Sequence, residues 1–209
     1  SMHARAAILT SAVLLALGAV LLKFTEGFSW LKAVLFSFST RTAGFSTAPL
    51  SSFTPAGLTV VMALMFVGAS PGSTGGGVKT TTLFALLQGL KSAATNRSEK
   101  AFHYSLPKDA FRKAATICAM GILAIGTGTF LLLVFEKGLP LSDAMFEMVS
   151  AFGTVGLSTG ITPTLSTAGK LLSILVMFIG RLGPMTVATL WYFSRGERIA
   201  YPEGNISIG

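Results

Sequence analysis

Long apolar runs alternate along this chain with short polar interruptions, and the run lengths are themselves informative. Ala6 to Leu22 is unbroken apolar sequence ending at Lys23, long enough for a first spanning helix. Gly27-Phe28-Ser29 turns the chain, and Trp30 falls where an indole would sit at a membrane–water boundary. Leu31 to Thr40 is apolar but too short to span, which predicts a re-entrant half-helix. It stops at Arg41-Thr42-Ala43-Gly44-Phe45-Ser46-Thr47, and Pro49 and Pro55 carry an extended return. The next run, Pro55 to Leu90, would as one helix be nearly twice the roughly 30 Å thickness of a hydrocarbon core, so it must be interrupted. Gly68-Ala69-Ser70-Pro71-Gly72-Ser73-Thr74-Gly75-Gly76-Gly77 supplies the interruption: glycines free the backbone, Pro71 removes an amide donor, and hydroxyls offer substitute hydrogen bonds. Non-helical backbone at membrane depth is tolerated only inside protein or beside a watery cavity, so this stretch reads as a plug.

The pattern then recurs. Residues 91–111 are polar and basic, Ala114 to Phe135 is a span with small residues at helical spacing (Ala115, Ala119; Ala124, Gly128), and Leu139 to Gly153 is a short amphipathic piece. Thr154-Val155-Gly156-Leu157-Ser158-Thr159 interrupts it, and Ala168 to Phe193 is the expected final span. At an offset of 112, Thr42, Gly44, Ser46 and Thr47 fall on Thr154, Gly156, Ser158 and Thr159, and Met65, Phe66 and Gly68 on Met177, Phe178 and Gly180. The expected fold is an all-α membrane protein of two parallel helix–pore-helix–filter–helix repeats of the potassium-channel-like type. A glycine-rich intramembrane loop breaks the second helix of the first repeat. The expected organisation is residues 1–90 as the first repeat with its loop, 91–113 as a cytoplasmic basic linker, 114–199 as the second repeat and 200–209 as a tail.

Composition agrees. Of 209 residues, 51% are hydrophobic and 11% charged, against about a quarter charged in a soluble domain. The net charge of +8 could suggest nucleic acid, but its placement argues otherwise. Arg5, Lys91, Arg97, Lys100, Lys108, Arg112, Lys113, Arg195 and Arg198 all flank apolar runs on one side, which the positive-inside rule marks as cytoplasmic, both termini included. The other loops, around Lys23, Glu26 and Lys32 and around Glu136, Lys137 and Asp143, mix both signs. No signal peptide is recognisable, and Ser1-Met2 reads as a cloning remnant. Cys118 reads as a small buried hydrophobe.

The repeated break carries the chemistry. A half-helix entering from outside points its carbonyl end at the membrane centre, where the dipole favours a cation. An extended Thr-x-Gly segment after it can present main-chain carbonyls in place of an ion's water, as the TVGYG loops of potassium channels do. The expected cation-binding backbone is Thr42, Ala43, Gly44, Phe45 and Ser46 with Thr154, Val155, Gly156, Leu157 and Ser158, holding K+. The only carboxylates near either break are Asp143 and Glu147. Glu147 is read either as support for the pore-helix surroundings or as a partner of Arg41, and a proton-coupled or calcium site would want more acid than this. Arg181, opposite Ala69 at the same offset, is either a positive charge below the cation site or an anchor for carbonyls freed by Gly183-Pro184. Lys79 is placed near the inner mouth. The glycine stretch fails the phosphate-loop pattern by one residue, since Val78 separates Gly77 from Lys79, and no strand precedes it. No nucleophile–base or metal-ligand cluster points to an enzyme, the two histidines, His3 and His103, lying in polar flanks.

The glycine stretch with Lys79-Thr80-Thr81-Thr82, the Arg41-Thr42-Ala43-Gly44-Phe45 segment and the lone Arg181 resemble the membrane subunit of the bacterial Trk/Ktr/HKT potassium transporter superfamily, most of all its Ktr branch. The resemblance implies four such repeats around one ion path, of which this chain matches the third and fourth. It also implies gating by Ala69, Ser70, Pro71, Gly72, Ser73, Thr74, Gly75, Gly76, Gly77, Lys79 and Arg181. The implied function is potassium uptake across the cytoplasmic membrane, with Na+ as a modulator, homodimerisation of the membrane subunit and a cytoplasmic nucleotide-binding ring. The basic stretch 91–113 would be its docking surface. A non-conducting assembly or regulatory membrane subunit is the alternative. Two repeats cannot enclose a path that needs four segments, so the others come from another chain, from a second copy, or from a longer chain of which this is a shortened version.

Overall fold

The computed structural model describes residues 2–95, 100–101, 104–107 and 109–189. Apart from a two-residue antiparallel ladder, β1 (Lys100–Ala101) with β2 (Tyr104–Ser105), the regular structure is helical. The helices are α1 (Met2–Glu26), α2 (Trp30–Ser39), α3 (Pro55–Phe66), α4 (Thr80–Thr95), α5 (Ala110–Phe135), α6 (Leu141–Gly153), α7 (Thr167–Leu182) and α8 (Pro184–Thr189). The order long helix, short helix, helix occurs twice, as α1–α2–α3 and α5–α6–α7. Arg97, His103, Lys108, Arg195, Arg198 and residues 200–209, which figure in the charge pattern and the tail, lie outside the described residues.

α1 and α5 are long and apolar enough to cross a membrane. Ile8, Val13 and Leu17 on α1, Ile122, Leu123 and Phe130 on α5, and Leu171, Ile174 and Phe178 on α7 are all exposed. Each large apolar side chain left in water forfeits roughly 1.5–3 kcal/mol of burial, so these rows suit hydrocarbon. The inward faces carry small residues instead: Gly18 and Ala19 on α1, Gly121 and Gly128 on α5, Gly169, Ser173 and Gly180 on α7. Small residues let backbones approach closely where lipid gives no hydrophobic push between helices. On α5 the inward seam runs through Ala114, Cys118, Gly121, Ile125 and Gly128, one position off the expected Ala115 and Ala119, and Cys118 lies in the core as expected.

Three helices begin on hydroxyl caps. Ser29 accepts from the Lys32 amide (3.4 Å), Thr54 from Gly57 (3.0 Å) and Ser166 from Gly169 (3.2 Å). Two of these caps are also clasped from outside their helix. Glu26 Oε1 accepts from the Thr54 amide (3.0 Å) and hydroxyl (2.7 Å), and Glu136 Oε1 accepts from the Ser166 amide (2.7 Å). A Cβ on Gly57 or Gly169 would fall 1.8 Å or 2.6 Å from those carboxylates, which is why both caps are followed three residues on by glycine. Hydrogen bonds from the Ser166 hydroxyl and amide, with the charge of Lys170 adding, hold the Glu136 carboxyl below its ordinary range.

Two boundaries differ from expectation. The expected span from Ala168 to Phe193 is cut after Leu182, where Gly183 takes φ +89° and Pro184 cannot continue the ladder, so α8 starts afresh. The linker is narrower than 91–113, because α4 continues to Thr95 and α5 already begins at Ala110.

Candidate functional site

α2 and α6 both stop at a threonine-glycine break, and the two breaks meet. Thr42 (φ +77°) and Thr154 (φ +52°) are the non-glycine residues with left-handed backbone among those described, and Gly44 (φ +75°) and Gly156 (φ +89°) follow each of them. Such a threonine costs about 1–2 kcal/mol relative to ordinary backbone, so packing must hold it. Part of the hold is local: the Ala43 and Gly44 amides fold back onto the Ser39 carbonyl (3.1 and 3.0 Å), and the Val155 amide onto Ser150 (3.0 Å). The rest is mutual. A Cβ built on Gly44 would lie 2.2 Å from the Val155 carbonyl oxygen, so the two segments run backbone against backbone at this point.

The glycine stretch lies against both segments. α3 ends at Phe66 and α4 begins at Thr80; between them the Gly68 amide donates to the Val78 carbonyl (2.9 Å) and the Val78 amide to Phe66 (3.0 Å), pinching the interruption into a closed loop. A Cβ on Gly75 would meet the Thr42 side chain at 2.8 Å, and one on Gly76 the Thr154 side chain at 2.7 Å. The Gly76 amide donates to the Thr154 hydroxyl (2.8 Å), and the Gly77 amide to the Gly180 carbonyl on α7 (3.2 Å). The Lys79 ammonium donates to the Gly75 carbonyl, bracing the loop from below its own turn. Gly72, Ser73 and Thr74 form the exposed tip, where Gly72 takes φ +83°.

Next to this centre, Phe45 is 75% exposed while its carbonyl accepts from the Ser39 hydroxyl, and the Ser46 hydroxyl donates to the Ala48 carbonyl. Arg181 is exposed, one residue past the Gly180 that accepts from the loop, and shares a niche with Lys79, Thr82 and Pro184. Arg41 and Glu147 do not pair. The Arg41 guanidinium donates to the Ser11 carbonyl (3.2 Å) and hydroxyl (3.4 Å) and to the Gly68 carbonyl (3.3 Å), whereas the Glu147 carboxylate faces Ser158 and Thr162. The two sit on different helix ends, and hydroxyls close at hand satisfy the carboxylate first. Sequence reasoning missed the Arg41–Gly68 tie and the two glutamate clasps; the recurrence of an acid before each hydroxyl-x-x-Gly cap was the available signal for the latter.

Together these features define a class: a helical protein in which two short helices stop against each other's backbone and a glycine loop packs across both stops. The chain belongs to the TrkH family of cation transport proteins, which it matches over residues 6–195. It is 40% identical over 177 residues to the Ktr system potassium uptake protein D of Bacillus subtilis (strain 168), covering 83% of this chain and 39% of that protein. It is 36% identical over 186 residues to the Ktr system potassium uptake protein B of Vibrio alginolyticus, covering 88% and 41%. The potassium/sodium uptake protein NtpJ of Enterococcus hirae is 34% identical over 228 residues, covering 100% and 50%. The fold is that of the crystal structure of the potassium transporter TrkH from Vibrio parahaemolyticus (TM-score 0.71, 22% identity, 91% of this chain and 44% of that one). The chain therefore spans about two fifths to half the length of these relatives.

Proposed function

We propose that this chain forms part of a potassium uptake path across the cytoplasmic membrane of a bacterium, corresponding to the C-terminal half of a four-repeat transporter. In this reading residues 1–90 and 114–199 are two parallel repeats, the first holding α1, α2, α3 and most of α4 and the second most of α5 with α6 and α7, and α2 and α6 are their pore helices. Carbonyls of Thr42 to Ser46 and of Thr154 to Ser158 replace part of the hydration shell of K+, helped by the negative ends of the two half-helices. The loop Ala69 to Gly77, braced by Lys79, closes the path beneath them, and Arg181 adds a positive charge on the same side. The basic stretch 91–113 faces the cytoplasm with both termini and offers a surface to a nucleotide-binding regulatory ring. The assembled transporter is a homodimer, with Na+ as a modulator.

One observation carries this reading: Gly44 leaves room for the Val155 carbonyl, while Gly75 and Gly76 close on Thr42 and Thr154, the first residues of both segments. A carbonyl-lined conduit needs segments brought together in this way, and a gate needs a loop that touches all of them. The test is to express the full-length transporter carrying this chain in a bacterium stripped of its own potassium uptake. Growth at low external potassium, with rubidium uptake that sodium inhibits weakly, is expected. A normally inserted transporter that supports neither would end the proposal.

A further inference from the structure

We infer that Glu147 is the positioning residue that fixes the outer end of the second carbonyl segment and thereby sets its preference for K+ over Na+. The inference rests on the potassium-uptake reading above. Glu147 lies midway along α6 and is only 7% exposed, too buried for water to satisfy a carboxylate. Its partners are two hydroxyls on the strand of chain that leaves the filter. Oε2 accepts from Ser158 (2.9 Å) and Oε1 from Thr162. Those hydroxyls also meet each other (2.8 Å), and the Ser158 oxygen accepts from the Gly160 amide (3.0 Å). Residues 158–162 are thus wound around one carboxylate. Ser158 stands two residues from Gly156, whose φ of +89° and open surroundings leave the segment soft unless something holds it from behind.

The sister unit indicates what this hold is for. At the offset of 112, Glu147 corresponds to Leu35 and Thr162 to Leu50, while Ser158 corresponds to Ser46. Acid and hydroxyl are present together in one unit and absent together in the other, where Ser46 instead bonds Ala48. The first unit forms its half-helix, break and return without them. A carboxylate is therefore not a requirement of the turn. What it adds is rigidity, and a closely held segment discriminates between ions by the cost of closing on the smaller one.

The experiment uses the full-length transporter carrying this chain and measures sodium competition against rubidium uptake, alongside maximal rate and membrane abundance. Glu147→Gln and Thr162→Val are each expected to lower the preference for the larger ion by about three- to tenfold, within the worth of one charge-assisted hydrogen bond. The double variant should fall short of the sum of the two single effects, because the Glu147–Thr162 contact is shared by both. Thr162→Ser, which keeps the hydroxyl, should restore the wild-type preference. A fall in rate or abundance with the preference unchanged overturns the role assigned to Glu147 and leaves the transport reading standing. Absence of uptake by the unmutated transporter overturns both.

Discussion

Gly44 and Gly156 occupy matched places in the sequence but not in space. A side chain on Gly44 collides with the Val155 carbonyl, whereas nothing lies within 4 Å of a Cβ on Gly156. Gly44→Ala should therefore cost assembled protein, read as a loss of folded transporter in size-exclusion yield. Gly156→Ser pays only the left-handed backbone penalty of about 1–2 kcal/mol. It should leave assembly intact while weakening discrimination against sodium, read by competition between the two ions; unchanged selectivity in a well-assembled Gly156→Ser transporter would speak against carbonyl coordination there. The spacing of threonine and glycine made the two breaks legible in the sequence, because T-x-G recurs at the same offset after each run too short to span. The left-handed threonines and the burial of Glu147 were not legible. Both depend on which segment comes to lie behind which, and no local pattern encodes that.

Among the elements, the two third helices show how little of each is regular. α3 is held at its start by Thr54 and Glu26 and gives way after Phe66; α7 is held by Ser166 and Glu136 and gives way at Gly183. Removing Gly75 and Gly76 deletes the residues that touch Thr42 and Thr154, and ion uptake by the assembled transporter should rise; unaltered flux would tell heavily against gating by this loop. The clasp at Ser166 makes a separate prediction. Because the Glu136 carboxyl titrates below its ordinary range, its contribution is fully present above the unfolded value, about 4.3. It disappears as pH falls through the lowered folded value. Glu136→Ala should thus lower the thermal midpoint at neutral pH and approach the wild type in acid; a pH-independent difference would mean the carboxylate does not act through its charge. Helix existence and order were readable from run lengths. Gly183-Pro184 was legible as a step that frees carbonyls but not as the end of a helix, because apolar residues continue on both sides of it.

For the whole molecule, the two half-helices are unequal. α6 is enclosed by α3, α5 and α7, with every residue from Phe146 to Gly153 buried. α2 is covered chiefly by α1, and Leu31 and Phe38 remain 83% and 65% exposed. Two segments brought to one point, with one flank open, describe part of an enclosure. Reconstituted in liposomes at a dilution that leaves one copy per vesicle, the 209-residue chain should pass no potassium above background, whereas the full-length transporter should; flux through a single copy would refute the need for four segments.

The Arg41 side chain reaches Gly68, at the root of the glycine loop, from the residue next to Thr42, while the loop itself leans on Thr42 and Thr154. If that loop is the gate, occupancy and closure share one thermodynamic cycle. An ion that binds more tightly while the loop is seated helps to keep it seated, and whatever draws the loop away changes the ion's affinity by the same factor. A transporter wired in this way reads its own cargo.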